Sequence, residues 1–186
     1  MTEPLRDSVP LARIRSYGHR CLRQNARPAE PGSPETSRLL DLLWNTLAAD
    51  DGVGLAAPQI GVARRVVVIR DPGQPREQQR LDLVNPIIKA SFGPLEAFEE
   101  GCLSFPGLYT GVIRPAGAEV EYQDAEGRSC RLSDEGLVAR IVQHEIDHLD
   151  GILFVDRLPR WKKLLLAPRL LLVVLGGYLA EVRHRK

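Results

Sequence analysis

The sequence is short of cysteine, low in aromatic residues and without an excess of charge of either sign. Cys21, Cys102 and Cys130 are odd in number and widely spaced, so a disulfide framework is not expected and a reducing compartment is. The 25 basic residues offset 24 acidic ones to a net charge of +1. So even a balance gives no field to gather nucleic acid or an acidic surface, which excludes bulk electrostatic binding as a main function. The first thirty residues hold no apolar run and mix Arg6, Arg13, Arg15 and Arg20 with Glu3, Asp7 and Glu30. An ordinary N-terminal arm is expected there instead of a signal peptide, and with it a cytoplasmic location. Internal repeats and long low-complexity linkers are missing as well. What is left is a chain of 186 residues, 44% hydrophobic and 26% charged, of a size that builds a core without disulfide staples.

Local signals predict an α+β fold, with helices bracketing a largely antiparallel set of strands. Ser33-Pro34-Glu35 joins an N-cap residue, a proline at the first helical position and an early acid. A helix is predicted from Pro34 to Ala49, its stripe of Leu39, Leu40, Leu43, Trp44 and Leu47 facing the core and Asp50-Asp51-Gly52 stopping it. The β-branched run Val66-Val67-Val68-Ile69 reads as a buried strand. Further strands are predicted at Leu81–Ile88, interrupted by Asn85-Pro86, and at Ala118–Tyr122 and Ser129–Leu132, the last two joined across Asp124–Gly127 as a hairpin. A central helix is predicted from Ser133 or Asp134 to Asp150.

The stretch from Leu164 to Ala180, LLLAPRLLLVVLGGYLA, holds Pro168, Arg169 and a Gly-Gly pair, and falls short of the ~20 unbroken apolar residues of a membrane span. A C-terminal apolar helix packed on the domain or on a second copy is expected, which allows a homodimer through the tail. Surface attachment to a membrane, helped by Arg160, Lys162 and Lys163, is the lesser alternative, so a membrane is not an expected partner. Residues 1–160 are read as the catalytic domain and residues 161–186 as a tail.

The chemistry concentrates in three stretches. His144-Glu145-Ile146-Asp147-His148 places two imidazoles a little over one helical turn apart, on one face, with a carboxylate beside them to handle protons at a metal-bound water. A catalytic site of this kind needs a third protein ligand. The position where a metzincin would carry its third His is Phe154, whereas Cys102, between Gly101 and Leu103-Ser104, offers a soft thiolate. The third stretch, Gly52 to Gly61, is rich in small residues that permit close backbone approach and has Gln59 as its one polar side chain. It lacks the later glycine of a dinucleotide fingerprint and the Gly-Lys-Ser/Thr of a P-loop.

Taken in order, GVGLAAPQ at Gly52–Gln59, EGCLS at Glu100–Ser104 and QHEIDHL at Gln143–Leu149 resemble the three motifs of the peptide deformylase family. The resemblance extends over about residues 12 to 158. It implies that Cys102, His144 and His148 are the metal ligands, for ferrous iron or for zinc or nickel in its place. It implies that the N-formyl group of a newly made formylmethionyl polypeptide is hydrolysed to formate, with Glu145 carrying the proton. Gln59 and the backbone N–H of Leu103 would stabilise the developing oxyanion. An extended substrate would lie between Val53-Gly54 and Gly107–Tyr109, with Leu137, Arg140, Ile141, Val53 and Glu100 around the methionine side chain. Arg140 is left open between lining that pocket and pairing with an acid. Arg114 and Asp147 are open between support of the metal helix and a surface salt bridge. The ribosome enters as a partner by resemblance only.

Two other readings start from the same helix: a zinc peptidase cutting internal amides, and a module in which a metal only holds the fold. The peptidase's third-ligand patterns find no match, whereas Cys102 within EGCLS matches the deformylase motif; a purely structural site usually closes all four positions with protein ligands and leaves Glu145 and Gln59 unexplained.

Overall fold

The computed structural model describes residues 11–50, 52–75 and 79–183. Arg6, Glu3 and Asp7 of the N-terminal arm, Asp51 of the helix stop, and His184 lie outside the described residues. Three helices, α1 (Pro34–Ala49), α2 (Leu137–Leu149) and α3 (Arg160–Arg183), accompany five strands, β1 (Gly54–Ala56), β2 (Val66–Arg70), β3 (Arg80–Glu100), β4 (Thr110–Gln123) and β5 (Ser129–Glu135). The strands form one antiparallel sheet in the order β1-β2-β3-β4-β5, a meander in which every neighbour in sequence is a neighbour in space.

The sheet divides the core. Val67 and Ile69 on β2, with Leu83 and Val120, pack against Val138, Val142, Ile146 and Leu149 of α2. Val66 and Val68 point to the other face and meet Leu39, Leu40, Leu43 and Leu47 of α1. A strand covered on both faces needs apolar residues at every position, which is why the Val66–Ile69 run does not alternate. The predicted boundaries of α1 hold: the Ser33 side chain accepts from Thr36 N–H at 3.2 Å and closes the first turn.

Other elements differ from their local signals. Asn85-Pro86 does not end a strand; β3 runs through it to Glu100 with a register shift between Val84 and Ile87. Asn85 takes a φ of 54°, and its side chain exchanges hydrogen bonds with the backbone of Ala29 at 2.8 and 2.9 Å. The bulge thus places Pro86, which has no N–H, where the ladder needs none. Strand β5 continues to Glu135, so α2 begins at Leu137, later than Ser133 or Asp134. Pairing of Ser133, Asp134 and Glu135 with Glu119, Ala118 and Gly117 outweighs the helix signal of Ser133-Asp134-Glu135. Within the small-residue stretch, Gly54–Ala56 pairs with Val67–Ile69 as a short edge strand and Ala57–Ile60 forms a 3-10 turn.

The C-terminal segment forms one continuous helix. Arg160–Ala180, 21 residues, is long and apolar enough to cross a membrane by length and composition, and Pro168 lies inside the continuous helix without ending it. Its contact with the domain is confined to one stripe: Leu166 and Leu170 pack on a cluster of Phe105, Leu108, Val112, Phe154 and Leu158.

Candidate active site

Helix α2 threads the interior, and Val138 to Leu149 are all buried. It enters from β5 at Gly136, whose N–H donates to Ala116 O at 3.0 Å. With one face given to the sheet, His144 and His148 project from another, their ring centroids 5.1 Å apart. Cys102 comes from the connection between β3 and β4, which is folded on itself by hydrogen bonds from Phe105 N–H to Cys102 O (2.8 Å) and from Leu108 N–H to Phe105 O (3.1 Å). Tyr17 secures the same loop by donating its N–H to Ser104 O at 2.8 Å and stacking on Phe105.

These elements bring one ligand atom each from Cys102, His144 and His148 to within 4.8 Å of one another, and Cys102 Sγ is 3.3 Å from His148 Nε2. That separation is about the edge of a tetrahedron with metal–ligand bonds of ~2.0 to 2.3 Å, so the three donors fit a divalent metal. His148 Nδ1 is buried without a hydrogen-bond partner among the described residues.

His144 is aimed by its other nitrogen. Its Nδ1–H donates to Glu100 Oε2 at 2.9 Å. Burial disfavours the imidazolium, but Cys102 and Glu100 outweigh it and raise the pKa to about 10. Glu100 in turn accepts from Arg114 at 2.7 and 3.0 Å, and Arg114 reaches Asp147 at 2.6 Å. Arg157 completes the chain on the far side of Asp147. Arg114 is 3% exposed, so the surface salt bridge is excluded. Against the cost of burial, His144 and Arg114 pull the Glu100 carboxyl down to about 2 and keep it ionised. Arg157 carried no signal of its own in the sequence, because its partner is ten residues away on another element.

Glu145 lies against β1. A Cβ built on Gly54 would sit 2.6 Å from Glu145 Oε1 and 2.9 Å from Ile141 Cγ2, so only glycine allows this approach. Oε2 is buried with no partner among the described residues, and burial raises the carboxyl to about 7. A carboxyl so poised exchanges protons near neutrality. Gln59 faces the same space: Ala56 N–H donates to its Oε1 at 2.8 Å, which turns its amide N–H groups toward Cys102 Sγ and Ser104 Oγ, each at 3.4 Å.

One cavity of about 400 Å³ joins these groups. Val53, Gly54, Gln59, Glu100, Cys102, Leu103, Gly107, Tyr109, Leu137, Arg140, Ile141, His144 and Glu145 all line it, whereas His148, 1% exposed, does not. Arg140 both lines the cavity and is held, by Glu96 O at 3.0 Å, Val112 O at 3.3 Å and Glu100 at 3.4 Å. Phe98, which the local pattern does not mark, joins the wall and lies under the Arg140 guanidinium at 5.8 Å. Strand β1 is an edge of the sheet, and Val53 and Gly54 bring that edge to the cavity.

The polypeptide deformylase family profile matches residues 11–164. The chain is 45% identical to a peptide deformylase of Picosynechococcus over 81% of its own length and 80% of the relative's. It is 46% identical to one from Desulfitobacterium hafniense over 80% of its own length and 95% of the relative's. Among solved structures, a peptide deformylase from Legionella pneumophila superposes with a TM-score of 0.81 at 36% identity, covering 95% of this chain and 99% of that one. The Synechococcus elongatus enzyme in complex with actinonin superposes with a TM-score of 0.78 at 41% identity, covering 82% and 83%. The matched residues 11–164 span every residue that lines the cavity, and neither an internal peptidase nor a purely structural metal module fits that match. The chain belongs to the peptide deformylase family, metal-dependent hydrolases that remove the N-formyl group from nascent polypeptides.

Proposed function

We propose that Cys102, His144 and His148 hold the divalent metal, that Glu145 is the proton carrier, and that Gln59 with the Leu103 N–H binds the developing oxyanion. The observation that carries this reading is that Cys102, His144 and His148 bring ligand atoms within 4.8 Å of one another at a cavity that Glu145 and Gln59 also line. Ferrous iron is the metal the family resemblance implies, and a thiolate with two imidazoles also suits zinc or nickel. When bound, the metal supplies Lewis acidity toward the formyl carbonyl and toward water. Glu145 takes the proton released as water adds to the formyl carbon and delivers it to the departing amine nitrogen, leaving formate and a free N-terminus. The Gln59 amide, its orientation fixed by Ala56, donates to the formyl oxygen as negative charge grows there.

The substrate backbone extends along Val53-Gly54 with Gly107–Tyr109 on its other side, adding a strand to the β1 edge. Leu137, Ile141, Val53 and the stem of Arg140 receive the methionine side chain. Glu100 contributes to that wall while its carboxylate holds His144 and Arg114. Residues 1–160 act as the catalytic domain, a division supported by a family match that ends at residue 164. The substrate's origin supports a cytoplasmic encounter at the ribosome.

The test is formate release from N-formyl-Met-Ala-Ser by protein purified without oxygen, with metal measured on the same sample and Glu145→Gln beside it. Turnover falling about 10² to 10⁴-fold at unchanged metal content is the expected result. Full activity in the variant removes Glu145 from the mechanism, and no release by metallated wild-type protein overturns the assignment of the site.

A further inference from the structure

Helix α3 has two apolar faces, and the domain uses one. The half-buried stripe of Leu166, Leu170, Val174 and Gly177 lies on the body. A Cβ on Gly177 would sit 2.6 Å from Ser16 Cβ, and Lys162 Nζ donates to Gly111 O at 2.8 Å. On the opposite face Trp161, Leu164, Leu165, Leu172, Leu175 and Leu179 are exposed, from 48% at Leu175 to 74% at Leu164. At about 100° per residue these six fall within one continuous sector, with Arg160 at one margin and Arg169 at the other. Leaving so contiguous an apolar surface in water is costly for a monomer.

We infer that this face docks α3 flat on an anionic lipid bilayer. Charge selects the occupant. Arg160 and Arg169 border the exposed apolar face, and Arg160–Ala180 contains no acidic residue. A second copy seated on the same face would set these cations against their own like, with nothing acidic in the helix to answer them. Lipid phosphates answer both, while the leucines and Trp161 enter the acyl boundary. The helix lies on the surface and does not span, because its other stripe is committed to Ser16, Gly111 and the Phe105 cluster. A groove of about 500 Å³ between α3 and the body includes Pro106 and Gly107, which also line the active-site cavity.

The full chain is sedimented with phosphatidylcholine vesicles, with and without phosphatidylglycerol. Recovery only with the anionic vesicles, reversed by salt, is expected. Leu165→Glu with Leu172→Glu, and separately Arg160→Glu with Arg169→Glu, are each expected to cut partitioning at least about tenfold. Formate release from the soluble formyl tripeptide stays unchanged in both, which shows that they fold. The inference is overturned by absent or lipid-independent recovery, or by a dimer that the Leu165/Leu172 pair dissociates without vesicle binding. Pelleting with ribosomes but not vesicles, or release by detergent alone, overturns it equally.

Discussion

Glu145 and Gly54 touch across the boundary between α2 and β1: the carboxylate occupies the space that any side chain at residue 54 would need. Gly54→Ala is expected to push Glu145 and the β1 edge apart. A displacement of about 1 Å at a reacting group costs on the order of 10² in rate, so kcat should fall by that order with the circular dichroism spectrum and metal content retained. Wild-type turnover in the alanine variant would refute the close packing of these two residues.

Gln59 separates catalysis from metal binding. Gln59→Ala should lower kcat about 10² to 10³-fold, the usual cost of one oxyanion donor, at unchanged metal content. Steady-state kinetics with metal analysis on one preparation decide it; a rise in KM alone would assign Gln59 to substrate binding instead.

The buried line Glu100–Arg114–Asp147 predicts a stability effect far larger than a surface pair gives. Arg114→Met leaves two buried carboxylates without their shared cation and should destabilise the fold by about 3 to 5 kcal/mol. Because Glu100 also orients His144, metal affinity should drop about 10 to 100-fold. Urea unfolding and a competitive chelator titration measure the two effects, and a loss under 1 kcal/mol, about what an exposed pair contributes, would contradict the burial.

Asp156 supplies a pH test away from the metal ligands. Burial works against its carboxylate, but the Arg23 guanidinium and the Leu153 N–H hold its pKa below the ordinary value. A depressed folded-state value stabilises the protein above the unfolded-state value, and that contribution disappears as pH falls through the folded-state one. Asp156→Asn should therefore lower Tm at neutral pH, with the gap from wild type closing below about pH 4. A gap that persists at lower pH would mean the ion pair is not its source.

Much of the site was legible because its chemistry is written in local spacing. A four-residue interval fixes His144 and His148 on one helical face whatever else the chain does, and the Ser33 cap, the Val66–Ile69 run and the Asp124–Gly127 turn likewise act within a few residues. Only the tertiary structure decided where those signals stop. Asn85-Pro86 became a bulge inside β3 because Asn85 found the backbone of Ala29. The helix signal at Ser133-Asp134 lost to pairing with β4, and β1 became a strand only because β2 lay beside it. The assembly of Glu100, Arg114, Asp147 and Arg157 has no periodicity to read, since each partner arrives on a different element and burial alone makes the charges seek one another. The tail shows the same division. Its composition dictates an apolar helix, but which of its faces the domain covers depends on where Ser16, Gly18 and Phe105 come to lie, and no interval along the chain encodes that.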